Sequence, residues 1–131
     1  MRILIAEDDL ISRTFMKKFL SKYGECDVAV NGLEAIDAFL GALKEERPYQ
    51  LICLDVMMPK LDGLKALQAI RDIEKQKGLE GDQLVKIIMT TALNDKNTIA
   101  NAYDSGCEAY AWKPIDIEKF VIVMRKLNLI K

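Results

Sequence analysis

Residues 51–63 read Leu51-Ile52-Cys53-Leu54-Asp55-Val56-Met57-Met58-Pro59-Lys60-Leu61-Asp62-Gly63. Four consecutive apolar residues run into an acid. A strand with one wet face alternates apolar and polar positions, whereas a strand apolar throughout is covered on both faces, as in parallel sheets. Leu51 to Leu54 therefore reads as a buried strand with Asp55 at its carboxyl end. Asp62 and Gly63 then read as the cap and opening of a helix whose apolar stripe is Leu64, Leu67 and Ile70.

The same alternation extends in both directions. Short apolar runs occur at Ile3 to Ala6, Val28 to Val30, Val85 to Met89 and Ala109 to Trp112. Between and after them lie sets at helical spacing: Ile11, Phe15 and Phe19; Ile36, Phe39, Leu40 and Leu43; Ile99, Ala102 and Tyr103; Phe120, Val121, Met124 and Leu127. Gly24, Asn31-Gly32, Pro48 and Gly106 punctuate the joints. The pattern predicts a doubly wound α/β domain, five parallel strands with helices on both faces. At 131 residues, one core and one domain over residues 1–131 are expected, with no output domain after the last helix.

Composition excludes several functions. A net charge of −1 with interspersed signs leaves no basic field for nucleic acid or an anionic membrane. No apolar run approaches the ~18 residues of a membrane span, and acids directly follow the first apolar run, unlike a signal peptide; the expectation is a cytoplasmic protein. Cys26, Cys53 and Cys107 are too scattered for a disulfide framework or a Cys-x-x-Cys site, and read as reduced, buried thiols. The chain has no histidine, which removes His-based triads, His zinc ligands and a His phosphodonor role.

Open parallel sheets bind ligands beyond the carboxyl ends of their strands. There the sequence places Glu7-Asp8-Asp9, Asp55, Thr90-Thr91 and Lys113-Pro114. Clustered carboxylates call for a cation, and without His or paired Cys a hard ion, Mg²⁺ or Mn²⁺ in its place, is favoured. A carboxylate can attack a phosphoryl group if metal, lysine and hydroxyl donors neutralise the transferring oxygens, and Lys113 and Thr91 are suitable donors. Trp112, Met57, Met58 and Met89 read as packing residues.

Ile3-Leu4-Ile5-Ala6-Glu7-Asp8-Asp9, Leu54 to Gly63, Thr90-Thr91-Ala92 and Tyr110-Ala111-Trp112-Lys113-Pro114 together resemble the bacterial response-regulator receiver domain across essentially the whole chain. The resemblance implies a flavodoxin-like sheet of order 2-1-3-4-5. It implies Asp55 as the acceptor of an aspartyl phosphate, with Asp8, Asp55 and the Met57 carbonyl as Mg²⁺ ligands and Glu7 acting through water. Asp9 then falls outside the acidic pair. Lys113 and Thr91 would contact phosphoryl oxygens, Thr91 and Tyr110 would form the switch, and Lys113-Pro114 would be a cis peptide bond, although Pro114 also reads as a first-turn proline of the last helix.

The implied partners are a sensor histidine kinase or phosphotransfer protein and a downstream protein target, met by a surface around Asp95 to Tyr110 and the last helix. The implied state is a monomer or a phosphorylation-dependent dimer. Met57 and Leu93 are apolar beside the path of attacking water, so slow loss of the phosphoryl group is expected. Two alternatives remain: a pseudo-receiver that binds partners without phosphorylation, and an aspartate-nucleophile phosphatase. Against the phosphatase stands Met57, where such enzymes carry a second Asp.

Overall fold

A computed structural model describes residues 1–92, 100 and 106–131. The elements are β1 (Arg2–Ala6), α1 (Leu10–Leu20), β2 (Glu25–Ala29), α2 (Gly32–Lys44), β3 (Leu51–Asp55), α3 (Gly63–Gln76), a short 3₁₀ turn (Gly81–Gln83), β4 (Lys86–Thr91), β5 (Ala109–Trp112) and a last helix (Ile117–Lys126). The five strands pair in parallel in the order β2-β1-β3-β4-β5, as expected. The expected helix through Ile99, Ala102 and Tyr103, and most of the expected partner surface, lie outside the described residues.

Alternate strand residues feed two cores. Leu4, Ala6, Ile52, Leu54, Ile87 and Met89 face α2 and α3, where they meet Phe39, Ala66, Leu67 and Ile70. Ile3, Ile5, Leu51, Cys53 and Ile88 face α1 and the last helix, meeting Met16, Phe19, Leu20, Phe120 and Met124. Each Leu, Ile, Phe or Met side chain among them contributes about 1.5–3 kcal/mol on removal from water, so the central strands are held from both sides. No described helix is long and apolar enough to cross a membrane.

Side-chain caps fix where the helices begin. Asp9, Asn31, Asp62 and Asp116 each accept a hydrogen bond from the backbone N–H three residues on, an arrangement worth about 1 kcal/mol per helix. Since each helix follows a strand, all four N-termini gather at the carboxyl end of the sheet. Gly63 is pressed against this end: its N–H donates to the Val56 carbonyl at 2.9 Å, and a Cβ there would collide with the Asp55 carbonyl.

The opposite end of the sheet is closed by ion pairs. From α3, Arg71 donates to the Gly106 carbonyl at 2.9 Å, the Val85 carbonyl at 2.8 Å, Glu74 at 2.7 Å and both Glu108 oxygens at 2.8 and 3.0 Å. Its five donors are thus all used. The second Glu74 oxygen accepts from Val85 N–H at 2.8 Å, and Glu108 accepts from Ile87 N–H at 2.6 Å. At the far edge, Asp27 accepts from Arg2 at 2.9 Å and from the Tyr49 hydroxyl at 2.7 Å.

Four expectations need correction. β2 starts at Glu25 and ends at Ala29, rather than covering Val28 to Val30, because it is an edge strand with Val28 40% exposed; an apolar run cannot mark such a strand. Pro114 precedes the last helix, which opens at Ile117 behind its Asp116 cap, so Pro114 is no first-turn proline. Met57 and Trp112 are 60% and 42% exposed and are not core packing residues, unlike Met58 and Met89. Cys53 and Cys107 are buried thiols as expected, while Cys26 is only partly covered.

Candidate functional site

Strand register brings the predicted residues together. β3 lies between β1 and β4, with Leu54 opposite Ala6 and Asp55 opposite Thr90. One residue beyond Ala6 therefore sits beside the end of β3. Glu7, Asp8 and Asp55 each offer an oxygen, and the three lie within 4.8 Å of one another. Glu7 and Asp55 are buried, whereas Asp8 is exposed.

β5 supplies the counter-charge. Thr91 pairs with Trp112, and the next residue, Lys113, donates its backbone N–H to the Thr91 carbonyl at 2.8 Å. Its ammonium reaches into the cleft, bonding the Glu7 carboxylate and approaching Asp55 Oδ2 at 3.3 Å. The Lys113-Pro114 bond is cis, as the resemblance implied. Met57 N–H donates to Asp55 Oδ1 at 3.3 Å, which orients the carboxylate from below.

The electrostatics match an under-neutralised cluster. Burial, together with Asp55 beside it, pushes the Glu7 carboxyl up from the usual range despite the Lys113 ammonium and the Asp9 N–H. Burial alone would lower the Lys113 ammonium, but its hydrogen bond to Glu7 and the nearby carboxylate charges outweigh this and raise it. One lysine against three carboxylates fits an oxygen-only donor set for a hard divalent cation.

Thr91 is fully buried at the end of β4, so it is part of the strand and not an exposed helix cap. Tyr110 lies two residues before Trp112 on β5, with ring centroids 5.2 Å apart. Asp9 is the cap of α1, accepting from Ser12 N–H at 2.8 Å, and so stands outside the cluster as expected. Leu93 lies outside the described residues.

Sequence reasoning missed Arg13. Its Nη1 donates to the Glu7 carbonyl at 3.0 Å and the Asp8 carbonyl at 3.3 Å. A basic residue one turn into the helix after an acid pair was the available signal.

Comparison with known proteins agrees with this geometry. Residues 3–125 match the family model described as the response regulator receiver domain. The chain is 36% identical over 133 residues to the probable C4-dicarboxylate response regulator DctR of Bacillus subtilis, covering 99% of this chain and 53% of that protein. It is 31% identical to probable histidine kinase 2 of rice, covering 92% of this chain but 12% of that protein. The chain therefore spans about half or much less of these relatives. It superposes with a TM-score of 0.80 and 32% identity, over 95% of this chain and 86% of that one, on a co-crystal structure from Saccharomyces cerevisiae. That crystal holds the histidine phosphotransfer protein Ypd1 and the receiver domain of its response regulator Ssk1.

Proposed function

The chain belongs to the response regulator receiver domain family, and from that premise we propose that Asp55 accepts a phosphoryl group from a sensor histidine kinase or phosphotransfer protein. The carrying observation is the Lys113 ammonium set between Glu7 and Asp55 at the mouth of the three-carboxylate cluster. An Asp55 oxygen bonds to phosphorus as the phosphorus–nitrogen bond of a donor phosphohistidine breaks, leaving an aspartyl phosphate and a free imidazole. Lys113 pairs with a transferring oxygen, and Thr91 donates its hydroxyl to another.

Asp8, Asp55 and the Met57 carbonyl, with Glu7 through water, would hold Mg²⁺. The ion supplies neutralisation of charge on the phosphoryl oxygens. The domain acts as a signalling switch charged once per cycle. Thr91, drawn to the phosphoryl group, and Tyr110, turning after it, shift the population of a protein-docking face. Support for the donor class comes from the likeness to the yeast receiver crystallised with a phosphotransfer protein. Slow loss of the phosphoryl group belongs to this reading, because Met57 offers nothing to orient water.

The test is incubation with acetyl phosphate and Mg²⁺ followed by intact mass. The expected result is one added phosphoryl group on the wild-type chain and none on Asp55→Asn. A gain retained by Asp55→Asn would overturn the acceptor assignment, and continuous release of phosphate from simple phosphomonoesters would overturn the switch in favour of an enzyme.

A further inference from the structure

The turn between β1 and α1 is tied at almost every peptide. Glu7 N–H donates to the Ala29 carbonyl at 2.9 Å, Asp9 N–H to a Glu7 carboxylate oxygen at 3.1 Å, and Arg13 N–H to the Asp9 carbonyl at 2.9 Å. The Asp8 side chain is the exception. It is exposed, and among the described residues no hydrogen bond reaches its carboxylate, yet that carboxylate is one of the three that cluster. Its direction is therefore set by the backbone alone.

Arg13 controls that backbone. Side chains of a helix lean toward its N-terminus, so an arginine three residues into α1 reaches back over the turn. One guanidinium nitrogen bridges the carbonyls of Glu7 and Asp8, which fixes the tilt of two successive peptide planes and with it the Cα–Cβ direction of Asp8.

We propose that Arg13 is a positioning residue for the divalent cation, holding the Asp8 carboxylate where it can coordinate. The proposal rests on the metal-dependent reading of the site. It also makes a prediction opposite to simple electrostatics. A guanidinium beside a cation site repels the cation, so removing its charge should tighten binding if charge were its whole influence. If Arg13 positions Asp8, removing it loosens binding, as loss of an outer partner of a metal ligand commonly does.

The experiment measures Mn²⁺ binding by the paramagnetic resonance signal of the free ion, with Mg²⁺ as competitor, for the wild-type chain, Arg13→Met and Arg13→Lys. Arg13→Met is expected to bind Mn²⁺ roughly tenfold more weakly, with Arg13→Lys between it and the wild type because an ammonium keeps the charge and a donor but lacks the rigid planar Nη1 that bridges both carbonyls. Equal or tighter binding by Arg13→Met overturns the proposal. Asp55 labelling by acetyl phosphate should be slow in Arg13→Met at limiting Mg²⁺ and match wild type at saturating Mg²⁺, whereas a defect that persists at saturation overturns it. Should Arg13→Met fail to melt cooperatively in chelator, Arg13→Lys decides, and wild-type affinity there is the overturning result. Absence of Mn²⁺ binding by the wild-type chain would instead bring down the reading of the whole site.

Discussion

At the start of β4 and β5, Arg71 meets Glu74 and Glu108; at the finish of β1, β3 and β5, Lys113 meets Glu7 and Asp55, with Asp8 beside them. Both clusters join basic and acidic side chains across neighbouring elements, but their accounts of hydrogen bonds differ. Every Arg71 donor has an acceptor, and both carboxylates also accept backbone N–H groups. At the other end, a single ammonium is shared between two of three clustered acids, and the third, Asp8, is open to solvent. A closed network fixes structure, and an incomplete one leaves room for a ligand to finish it.

The largest effect that tests this contrast is Arg71→Met. It strands the 1% exposed Glu74 carboxylate, and a cost of about 3–5 kcal/mol in urea unfolding is expected. A cost below about 1 kcal/mol, the range of surface pairs, would erase the distinction. Next in size is the response to Mg²⁺. At a hundredfold excess over its dissociation constant, Mg²⁺ should stabilise the chain by about 2.7 kcal/mol. Asp8→Asn should lose most of that gain in thermal melts, while Glu108→Gln should keep it.

Smaller still, and opposite in sign to most substitutions, Asp55→Asn should raise metal-free stability by about 1 kcal/mol, since it relieves crowding among like charges. A comparable loss on denaturation would mean that the acidic cluster is already balanced. The smallest effect concerns pH at the closed end. Tyr49, with help from Arg2, holds the Asp27 carboxyl below its usual value. The unfolded chain therefore takes up the proton first, so this contribution is complete above the ordinary Asp value near 3.8 and fades as pH falls through the lower folded value. Asp27→Asn should lower the neutral plateau of a stability–pH curve slightly and flatten its acid limb below about pH 4, so that the two chains converge in acid.

The same contrast explains what could be read from the sequence. The strands and the acidic cluster were legible because Asp55, Glu7-Asp8, Thr91 and Lys113 each end or follow an apolar run, so local pattern and chemistry coincide at one edge of the sheet, whereas the strand order came only from the resemblance. The Arg71 network was not legible, because its members come from α3, the β4 start and the approach to β5, and nothing local marks Glu108 as a partner of Arg71. β2 was misplaced by the mixed polarity of an edge strand. Met57 was read as packing because residue type records hydrophobicity but not that its position lies just beyond the strand, at the cleft rim.

Gly63 carries a last consequence. Its missing side chain lets the opening of α3 rest directly on the Asp55 carbonyl. In a saturation library, positions 55 and 63 should both score as intolerant, for unrelated reasons. Substitutions at 63 should deplete the protein itself, whereas, if Asp55 is the acceptor as proposed, Asp55→Asn should leave abundance intact and silence only the signal, so pairing an abundance screen with a signalling screen separates the two roles.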